Sequence, residues 1–220
     1  FSYGFRPGRS QHQALDALYV GLRRKKVNWV LDLDIKGFFD NLDKELLVNM
    51  IEQRVADPRI LRLIRKWLNA GIIEDGIWSE TETGTPQGAV ASPLLANIYL
   101  HYVVDQWTDQ WRQDAGGDVI IVRYADDAVI GFQHQYEAEK FLKDLRERLR
   151  QYGLELNEDK TRLIRFGRYA RQNRDERGEG KPEAFTFLGL QHICAENSLG
   201  RFEIRRITDG DRRRKKLQAI

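Results

Sequence analysis

The sequence predicts an α+β fold in which helices pack on an antiparallel sheet. Helical and strand patterns alternate along the chain, and the β-branched runs 119–124 and 128–132 are joined by a tight turn, as in a hairpin. The helical pattern over 136–152 carries an apolar stripe of the kind that packs against a sheet. The stripe consists of Phe141, Leu142, Leu145 and Leu149.

The elements follow from the apolar period and from boundary residues. Ser92 is expected as the N-cap of a helix that starts at Pro93, and Gly153 as the cap that ends another helix. Helices are predicted over 10–22, 43–55, 58–70, 93–113 and 136–152. Strands are predicted over 28–35, 119–124, 128–132, 162–166, 185–190 and 201–206. Three tryptophans within helices, Trp67, Trp107 and Trp111, are expected in core or subdomain contacts rather than in stacks on bases.

The composition is that of a soluble intracellular domain. The 220 residues are 41% hydrophobic, which suffices for one sizeable core or for two small subdomains that share an interface. No apolar run approaches the roughly 18 residues that a membrane span requires, so we expect a cytoplasmic protein without membrane contact. Cys194 is the single cysteine, and the histidines show no zinc spacing.

The net charge of +3 is unevenly distributed. Residues 161–220 contain 15 basic and 8 acidic residues, whereas the first 160 residues contain 21 basic and 25 acidic ones. A basic third beside an acidic centre is typical of a groove that follows a nucleic-acid backbone. For 167–184, rich in Arg, Gly, Asn and Glu, a disordered linker is the favoured interpretation, and the basic run 23–26 is equally consistent with an ordinary loop.

Two acidic segments suggest a common site. The tetrapeptide Tyr-Ala-Asp-Asp at 124–127 lies at the tip of the predicted hairpin, and alone it is equally well explained as an acidic type I′ turn with solvated side chains. In the strand 28–35, Asp34 shares a face with Asp32. Pairing of this strand beside the hairpin would bring Asp34 close to Asp126.

Convergent carboxylates favour a metal-dependent reaction. They repel one another and raise one another's pKa, and they are tolerated mainly where a divalent cation neutralises them. Ligation by oxygen alone suits Mg²⁺, which keeps several waters and takes further oxygens from substrate phosphates. A nucleotidyl transferase uses two such ions, one at the attacking hydroxyl and one at the leaving pyrophosphate.

Two further segments fit this chemistry. The turn-rich loop 84–93 contains Gln87 and Gly88, and glycine allows the backbone a close approach to a base pair or a sugar. The segment 152–161 ends a helix and leads into a strand, which places Lys160 on a loop. Each segment taken singly is explained as an ordinary loop.

Together the segments resemble the polymerase domain of reverse transcriptases, specifically the bacterial group II intron-encoded lineage. The first catalytic motif of that family is similar to 34–40, the second to 86–97, the third to 124–127 and the fourth to 153–161. Phe187, Leu188 and Gly189, followed by His192, resemble the primer grip, and 3–12 resembles a fingers segment. The match extends through nearly the whole chain with order and spacing preserved.

The resemblance implies a right-hand polymerase palm with part of the fingers and without a thumb. The implied organisation is partial fingers at 1–27, palm at 28–42, a fingers and palm insertion at 43–84, palm with the nucleotide pocket, YADD and primer grip at 85–208, and a basic linker at 209–220. The chain begins without Met and stops just after a basic run. We therefore expect a fragment of a longer polypeptide, and the fragment alone is not assured of activity.

The resemblance also implies roles for single residues. Asp34, Asp126 and Asp127 would bind two Mg²⁺ ions, with Mn²⁺ as a substitute, and the backbone carbonyl of Ile35 would complete one site. Lys160 would lie near the leaving pyrophosphate as a proton donor.

Substrate contacts are implied in the same way. Phe39 would be the steric gate beneath the incoming sugar, with Phe38 as the fallback. Gln87 and Gly88 would shape the nucleotide pocket, and Arg6 and Arg9 would contact the triphosphate. The partners would be an RNA template, a DNA or RNA primer, dNTPs and intron RNA.

Three alternatives stay open at this point. The protein could be an RNA-binding maturase that assists intron splicing, or a CRISPR-associated reverse transcriptase. An RNA-directed RNA polymerase would share the metals but would favour a small or hydrogen-bonding residue at the gate, so the pair of phenylalanines favours deoxynucleotides. The sequence predicts no oligomeric state.

Overall fold

The computed structural model describes residues 1–69, 91–210 and 214, together with the backbone of two short strands between 72 and 79. Within these residues the helices are α1 (Gln11–Arg24), α2 (Phe38–Asn41), α3 (Lys44–Glu52), α4 (Pro58–Leu68), α5 (Ser92–Leu100), α6 (Gln106–Gln113), α7 (Gln135–Arg150) and α8 (Ala170–Asp175), with a π-helical segment, His101–Asp105, between α5 and α6. The strands are β1 (Trp29–Leu33), β2 (Ile72–Glu74), β3 (Ile77–Ser79), β4 (Val119–Tyr124), β5 (Asp127–Phe132), β6 (Arg162–Arg165), β7 (Phe185–Phe187), β8 (Leu190–Glu196) and β9 (Phe202–Thr208).

A four-stranded antiparallel sheet carries the acidic segments. Its strand order is β4-β5-β1-β6. On β1, Leu33 pairs with Ala128 of β5, and Asp32 pairs with Arg162 of β6. The predicted pairing of the first strand beside the hairpin is therefore confirmed.

The described chain forms two compact units. The first comprises 1–34, 114–142 and 158–220, and the second comprises 35–113 and 143–157. In the first unit, the core lies between α1, one face of the four-stranded sheet and the second sheet β7-β8-β9. Leu18 of α1, Val30 of β1 and Phe185 of β7 are almost completely buried there. Asp32 lies on the face of Val30, because side chains two residues apart on a strand point the same way, so this face changes from apolar to acidic along β1.

In the second unit, α3 packs against α4 and α5. The predicted helix 93–113 is continuous but contains the π-helical segment. The wider turn of such a segment leaves carbonyl groups without their usual helical donors, and Arg148 donates to the carbonyl oxygens of Val103 (3.1 Å) and Tyr102 (3.2 Å). Tyr99 is buried, and its hydroxyl donates to the Tyr152 carbonyl oxygen (2.7 Å).

The predicted strand 185–190 is wrong. β7 ends at Phe187, the chain turns at Leu188 and Gly189, and β8 begins at Leu190. The φ angles of Leu188 and Gly189 are both positive, 52° and 76°, as a two-residue turn of type I′ requires. The Leu188 carbonyl oxygen accepts a hydrogen bond from Gln11 Nε2 (2.9 Å), which ties this turn to α1.

The expected N-cap at Ser92 is wrong, since α5 already includes Ser92 and Ala91 is its N-cap. Trp67 is 48% exposed, so it does not lie in the core, and its expected subdomain contact stays a prediction. The apolar arc of α4 is wider than the surface that covers it, so only part of the arc is buried. The buried residues of α4 are Leu61, Ile64 and Leu68.

The segment 167–184, predicted as a disordered linker, contains α8. Ala170 at the start of this helix is buried. Arg174 forms ion pairs with Glu179 and Glu183, both at 3.6 Å. The charges that suggested disorder therefore pair with one another. None of the described helices is long and apolar enough to cross a membrane.

His192 of β8 is buried, and no acidic side chain in the described part of the chain forms an ion pair with it. Its ring stacks on Phe185 with centroids 4.8 Å apart, and Nδ1 lies 3.1 Å from the Leu190 carbonyl oxygen. Burial lowers the pKa of His192 from its usual 6.5 to about 4; Arg206 adds to this effect, and the backbone hydrogen bond opposes it. The folded protein therefore keeps a neutral imidazole at pH values where the unfolded chain binds a proton.

This difference predicts a loss of stability in mild acid. Because the folded-state pKa is depressed, the contribution of His192 is fully present above pH 6.5 and is lost as pH falls towards 4. We expect His192→Phe to remove about 3 kcal/mol of the fall in unfolding free energy between pH 7 and pH 4. Urea titrations of the wild type and of His192→Phe at several pH values measure the unfolding free energy. Profiles of that free energy against pH that run parallel in the two proteins would contradict the prediction.

Candidate active site

The hairpin of β4 and β5 presents two carboxylates at a tight turn. Tyr124 pairs with Asp127, and Ala125 and Asp126 form the two-residue loop. Within this loop only Ala125 has a positive φ, 56°, so the turn is not of type I′, which needs positive φ at both positions. A residue with a side chain is strained there by about 1 to 3 kcal/mol, so surrounding contacts must hold the turn.

Arg123 supplies one of these contacts. The residue is only 2% exposed, and its Nη1 donates to the carbonyl oxygen of Ala125. We did not assign Arg123 a role from the sequence. The signal was available, because a lone arginine at the end of an apolar strand must find a buried acceptor.

The amino-terminal segment supplies the other contact. Tyr3 N donates to the Arg123 carbonyl oxygen (2.8 Å), and Arg123 N donates to the Phe1 carbonyl oxygen (2.9 Å). Gly4 lies against the backbone of the turn, where a Cβ would collide with the nitrogen of Ala125. The segment therefore extends the sheet beside the acidic turn, and glycine is needed for that close approach.

The predicted triphosphate contacts lie on the same segment. Arg6 Nε donates to Ser2 Oγ (3.0 Å), and the Arg9 guanidinium lies 5.2 Å from the centre of the Tyr3 ring. The predicted primer grip, 187–189, is the β7–β8 turn described above. These roles stay predictions.

The register of the sheet brings Asp34 to the acidic turn. β1 runs antiparallel to β5, with Leu33 opposite Ala128. Asp34, one residue after Leu33, and Asp127, one residue before Ala128, are therefore at the same level. The 92 residues that separate Asp34 from Asp126 in sequence are thus bridged by strand pairing.

The neighbouring carboxylates act on the acidity of Asp127. The pKa of Asp127 is raised to about 6, first because its carboxyl is partly withdrawn from water and then because of Asp126, Asp34 and Asp32. Lys160 acts in the opposite direction. The Asp127 residue as a whole stays exposed, so a cation from solution has access to it.

Two cations already neutralise part of this charge. Lys160 Nζ lies 3.4 Å from Asp34 Oδ2, and Arg162 Nη2 lies 3.5 Å from Asp32 Oδ2. Lys160 belongs to a turn before β6, which confirms its predicted loop position. Burial raises the pKa of Asp32 to about 6, Arg162 opposes this, and Asp34 adds to it.

The donor set fits a hard divalent cation. Carboxylate oxygens are the ligands that Mg²⁺ and Mn²⁺ prefer. Within the described ranges, no three acidic, histidine or cysteine side chains are arranged to hold an ion. The Lys160 ammonium contacts one oxygen of Asp34.

The predicted sugar gate belongs to the second unit and is described by itself. Phe38 is 3% exposed, and Phe39 is half-buried, with ring centroids 5.3 Å apart. Phe39 is thus the more accessible ring, as a gate requires. Ile35 forms a bridge with Leu156. Gln87 and Gly88 lie outside the described residues.

Comparison with known proteins identifies the family. Residues 1–192 match the family described as reverse transcriptase (RNA-dependent DNA polymerase). The chain belongs to this family. Membership implies a general dependence on divalent metal, in agreement with the donor set above.

The relatives include a group II intron-encoded protein. Protein YkfC of Escherichia coli (strain K12) is 32% identical over 92% of this chain and 58% of its own length. The group II intron-encoded protein LtrA of Lactococcus lactis subsp. cremoris is 46% identical over 46% of this chain and 16% of LtrA. The chain therefore spans less than two thirds of these relatives. They support a group II-like reverse transcriptase.

Solved structures confirm the fold. Apo telomerase from Candida tropicalis, truncated from its C-terminal domain, aligns with a TM-score of 0.65 and 17% identity over 94% of this chain and 41% of that chain. Telomerase from Candida albicans aligns with a TM-score of 0.62 and 14% identity over 90% of this chain and 33% of that chain. The predicted α+β right-hand polymerase fold is thereby confirmed.

Lys160 and Arg162 should each affect the pKa of a different carboxylate. Lys160→Met should raise the pKa of Asp127, because the ammonium opposes its rise, and Arg162→Met should raise the pKa of Asp32. Carboxyl ¹³C chemical shifts titrated by NMR without metal would measure both. Lys140→Met, an exposed lysine on α7, is the control. An unchanged Asp127 pKa in Lys160→Met would contradict the described geometry.

Proposed function

We propose that this protein is an RNA-directed DNA polymerase that extends a primer 3′-hydroxyl with dNTPs on an RNA template. The observation that carries the proposal is the convergence of Asp34, Asp126 and Asp127, whose mutual repulsion calls for a divalent cation. The family match supports the same reaction. The name of LtrA, a group II intron-encoded protein of the bacterium Lactococcus lactis, supports intron RNA as a partner and a bacterial cytoplasm as the place of action.

Asp34, Asp126 and Asp127 would hold two Mg²⁺ ions, together with the Ile35 carbonyl oxygen. When bound, the ions would supply the Lewis acidity that favours attack by a hydroxyl and departure of pyrophosphate. Their positive charge would replace that of the Lys160 ammonium, which now pairs with Asp34. Mn²⁺ has the same ligand preference and would substitute.

Lys160 would act on the leaving group. Its side chain is 66% exposed while the ammonium contacts Asp34, so it is held near the acidic turn but is free to exchange partners. An ammonium released from Asp34 would pair with an anion or give it a proton. We therefore assign Lys160 the roles of charge partner and proton donor for pyrophosphate.

Substrate contacts would come from four places. Phe39 would exclude the 2′-hydroxyl, and Gln87 and Gly88 would shape the nucleotide pocket. Arg6 and Arg9 would contact the triphosphate. The primer would be positioned by Phe187, Leu188 and Gly189. The half-buried state of Phe39 beside buried Phe38 supports this order of the two rings. Arg6 and Arg9 lie on the segment that extends the sheet at Arg123, and this position supports their role as triphosphate contacts.

Removal of one metal carboxylate should abolish synthesis but not RNA binding. We expect Asp34→Asn and Asp126→Asn each to retain less than about a hundredth of the wild-type extension rate, because a metal ligand supplies several kcal/mol to the transition state. RNA affinity should change little, since it depends on basic residues. Primer extension and filter binding on the same samples measure the two effects.

Asp114→Asn is the control, since Asp114 is exposed outside the acidic cluster. It should extend primers at the wild-type rate. Extension above a hundredth of wild type in either test variant would remove that residue from the metal site. A protein that binds intron RNA and promotes splicing but never extends a primer would instead be a maturase.

The sugar gate should discriminate by shape. Phe39→Ala should raise ribonucleotide incorporation relative to deoxyribonucleotide by at least about tenfold, equivalent to about 1.4 kcal/mol, because the smaller side chain leaves room for a 2′-hydroxyl. Phe38→Ala should instead lower the unfolding free energy by about 3 to 5 kcal/mol, because that ring is buried.

The comparison uses kcat/KM for a matched ribonucleotide and deoxyribonucleotide pair, with urea unfolding of both variants. Relaxed sugar selection in Phe38→Ala, with none in Phe39→Ala, would move the gate to Phe38.

A further inference from the structure

A cavity of about 820 Å³ in the first unit is lined by arginines. It is formed by the end of α1, the loop after β6, α8 and the tip of the β8–β9 hairpin. We call it the arginine cavity, after Arg23, Arg24, Arg168, Arg171 and Arg201. None of these residues belongs to the motifs that carry the proposed polymerase reaction.

The arginine cavity lies at the end of the sheets opposite to the carboxylates. Gly167 in its wall packs against the backbone of Val27, which precedes β1, whereas Asp34 follows β1. The extended chain from Val27 to Asp34 spans about 23 Å. In the second sheet, the pair Glu196 and Phe202 lies at the cavity end of the hairpin, and the predicted primer grip lies at the other end.

The positive charge in the cavity is largely uncompensated. Glu196 is the single carboxylate among the lining residues, and it pairs with Arg171 at 3.4 Å. Arg24, Arg168 and Arg201 form no ion pair with any residue that the structure describes. All three are exposed. Like charges gathered in one concavity repel one another and attract anions from solution.

The lining favours a phosphate-bearing strand over a small enclosed ligand. Guanidinium groups bind phosphate oxygens through paired donors, and here they come from several separate elements around an open concavity. Tyr169 is 53% exposed and Phe202 also lines the wall, so aromatic faces are available to bases. Small-molecule sites are instead mostly apolar and bury most of their ligand.

We propose that the arginine cavity binds the phosphodiester backbone of an RNA strand at a second site, separate from the carboxylates. This site would hold RNA whether or not a primer is being extended. It goes beyond the polymerase reaction, since none of its residues contacts the reacting groups. A protein that copies long RNA would thereby hold its template at two points.

The test is equilibrium binding of a fluorescent 20-nucleotide single-stranded RNA, measured by anisotropy over a series of KCl concentrations. Primer, dNTPs and metal are omitted, so failure of the polymerase proposal would not imitate failure of this one. For Arg168→Glu/Arg201→Glu we expect at least tenfold weaker binding. The slope of log affinity against log salt should be shallower by about 1.4, because each phosphate contact on a single strand contributes about 0.7.

Arg54→Glu/Arg62→Glu is the matched control, with the same charge change at exposed arginines outside the cavity. It should bind RNA within about twofold of wild type. Equal losses in the two variants would overturn the proposal, since the effect would then be one of net charge. Displacement of the RNA by millimolar ATP in wild type but not in the cavity variant would also overturn it, in favour of a mononucleotide site.

A conservative variant guards against a folding defect. Arg168→Lys/Arg201→Lys keeps the charge, so it should keep the wild-type salt slope while losing part of the affinity that paired guanidinium donors provide. Thermal melting of all variants checks that they are folded. A Lys variant with the shallow slope of the Glu variant would contradict phosphate contact as the cause.

Discussion

Repulsion among the carboxylates at one end of the strands of a sheet is the interaction on which the rest of this structure depends. Antiparallel pairing of β1 with β5 brings Asp34 to the level of Asp127, and Asp126 and Asp32 add their charges. Burial should make such a cluster unfavourable, and the raised pKa of Asp127 records the cost. The protein accepts this cost where a divalent cation would remove it.

Several contacts hold the acidic turn and Asp34 in place. The strained turn at Ala125 is fixed by the buried guanidinium of Arg123 and by an amino-terminal segment that extends the sheet. Lys160 offsets part of the charge of Asp34 and remains exposed enough to exchange its partner. The apolar end of the same sheet face packs on α1, so a rigid core supports the acidic end. One sheet therefore carries a buried core at one end of its strands and the acidic groups at the other end.

Much of this could be predicted from sequence, for physical reasons that differ between elements. β4 and β5 were predicted nearly to the residue, because β-branched runs joined by a tight turn are typical of a hairpin, and β1 was predicted from its alternating residues. The β7–β8 turn was missed because Leu188 adopts a positive φ, which its residue type does not announce. The segment around α8 was mistaken for a linker because its ion pairs are local and invisible to composition. The burial of Arg123 depends on the amino-terminal segment, which pairs with β4 across more than a hundred residues.

The most direct test of the central claim is Mn²⁺ binding followed by electron paramagnetic resonance, without nucleic acid or nucleotide. If the carboxylates gather to hold a divalent cation, wild-type protein will bind Mn²⁺ in competition with Mg²⁺. Asp34→Asn, Asp126→Asn and Asp127→Asn will each weaken that binding, whereas Asp32→Asn, whose carboxylate pairs with Arg162, will retain most of it. Undiminished Mn²⁺ binding in all three variants would contradict the account.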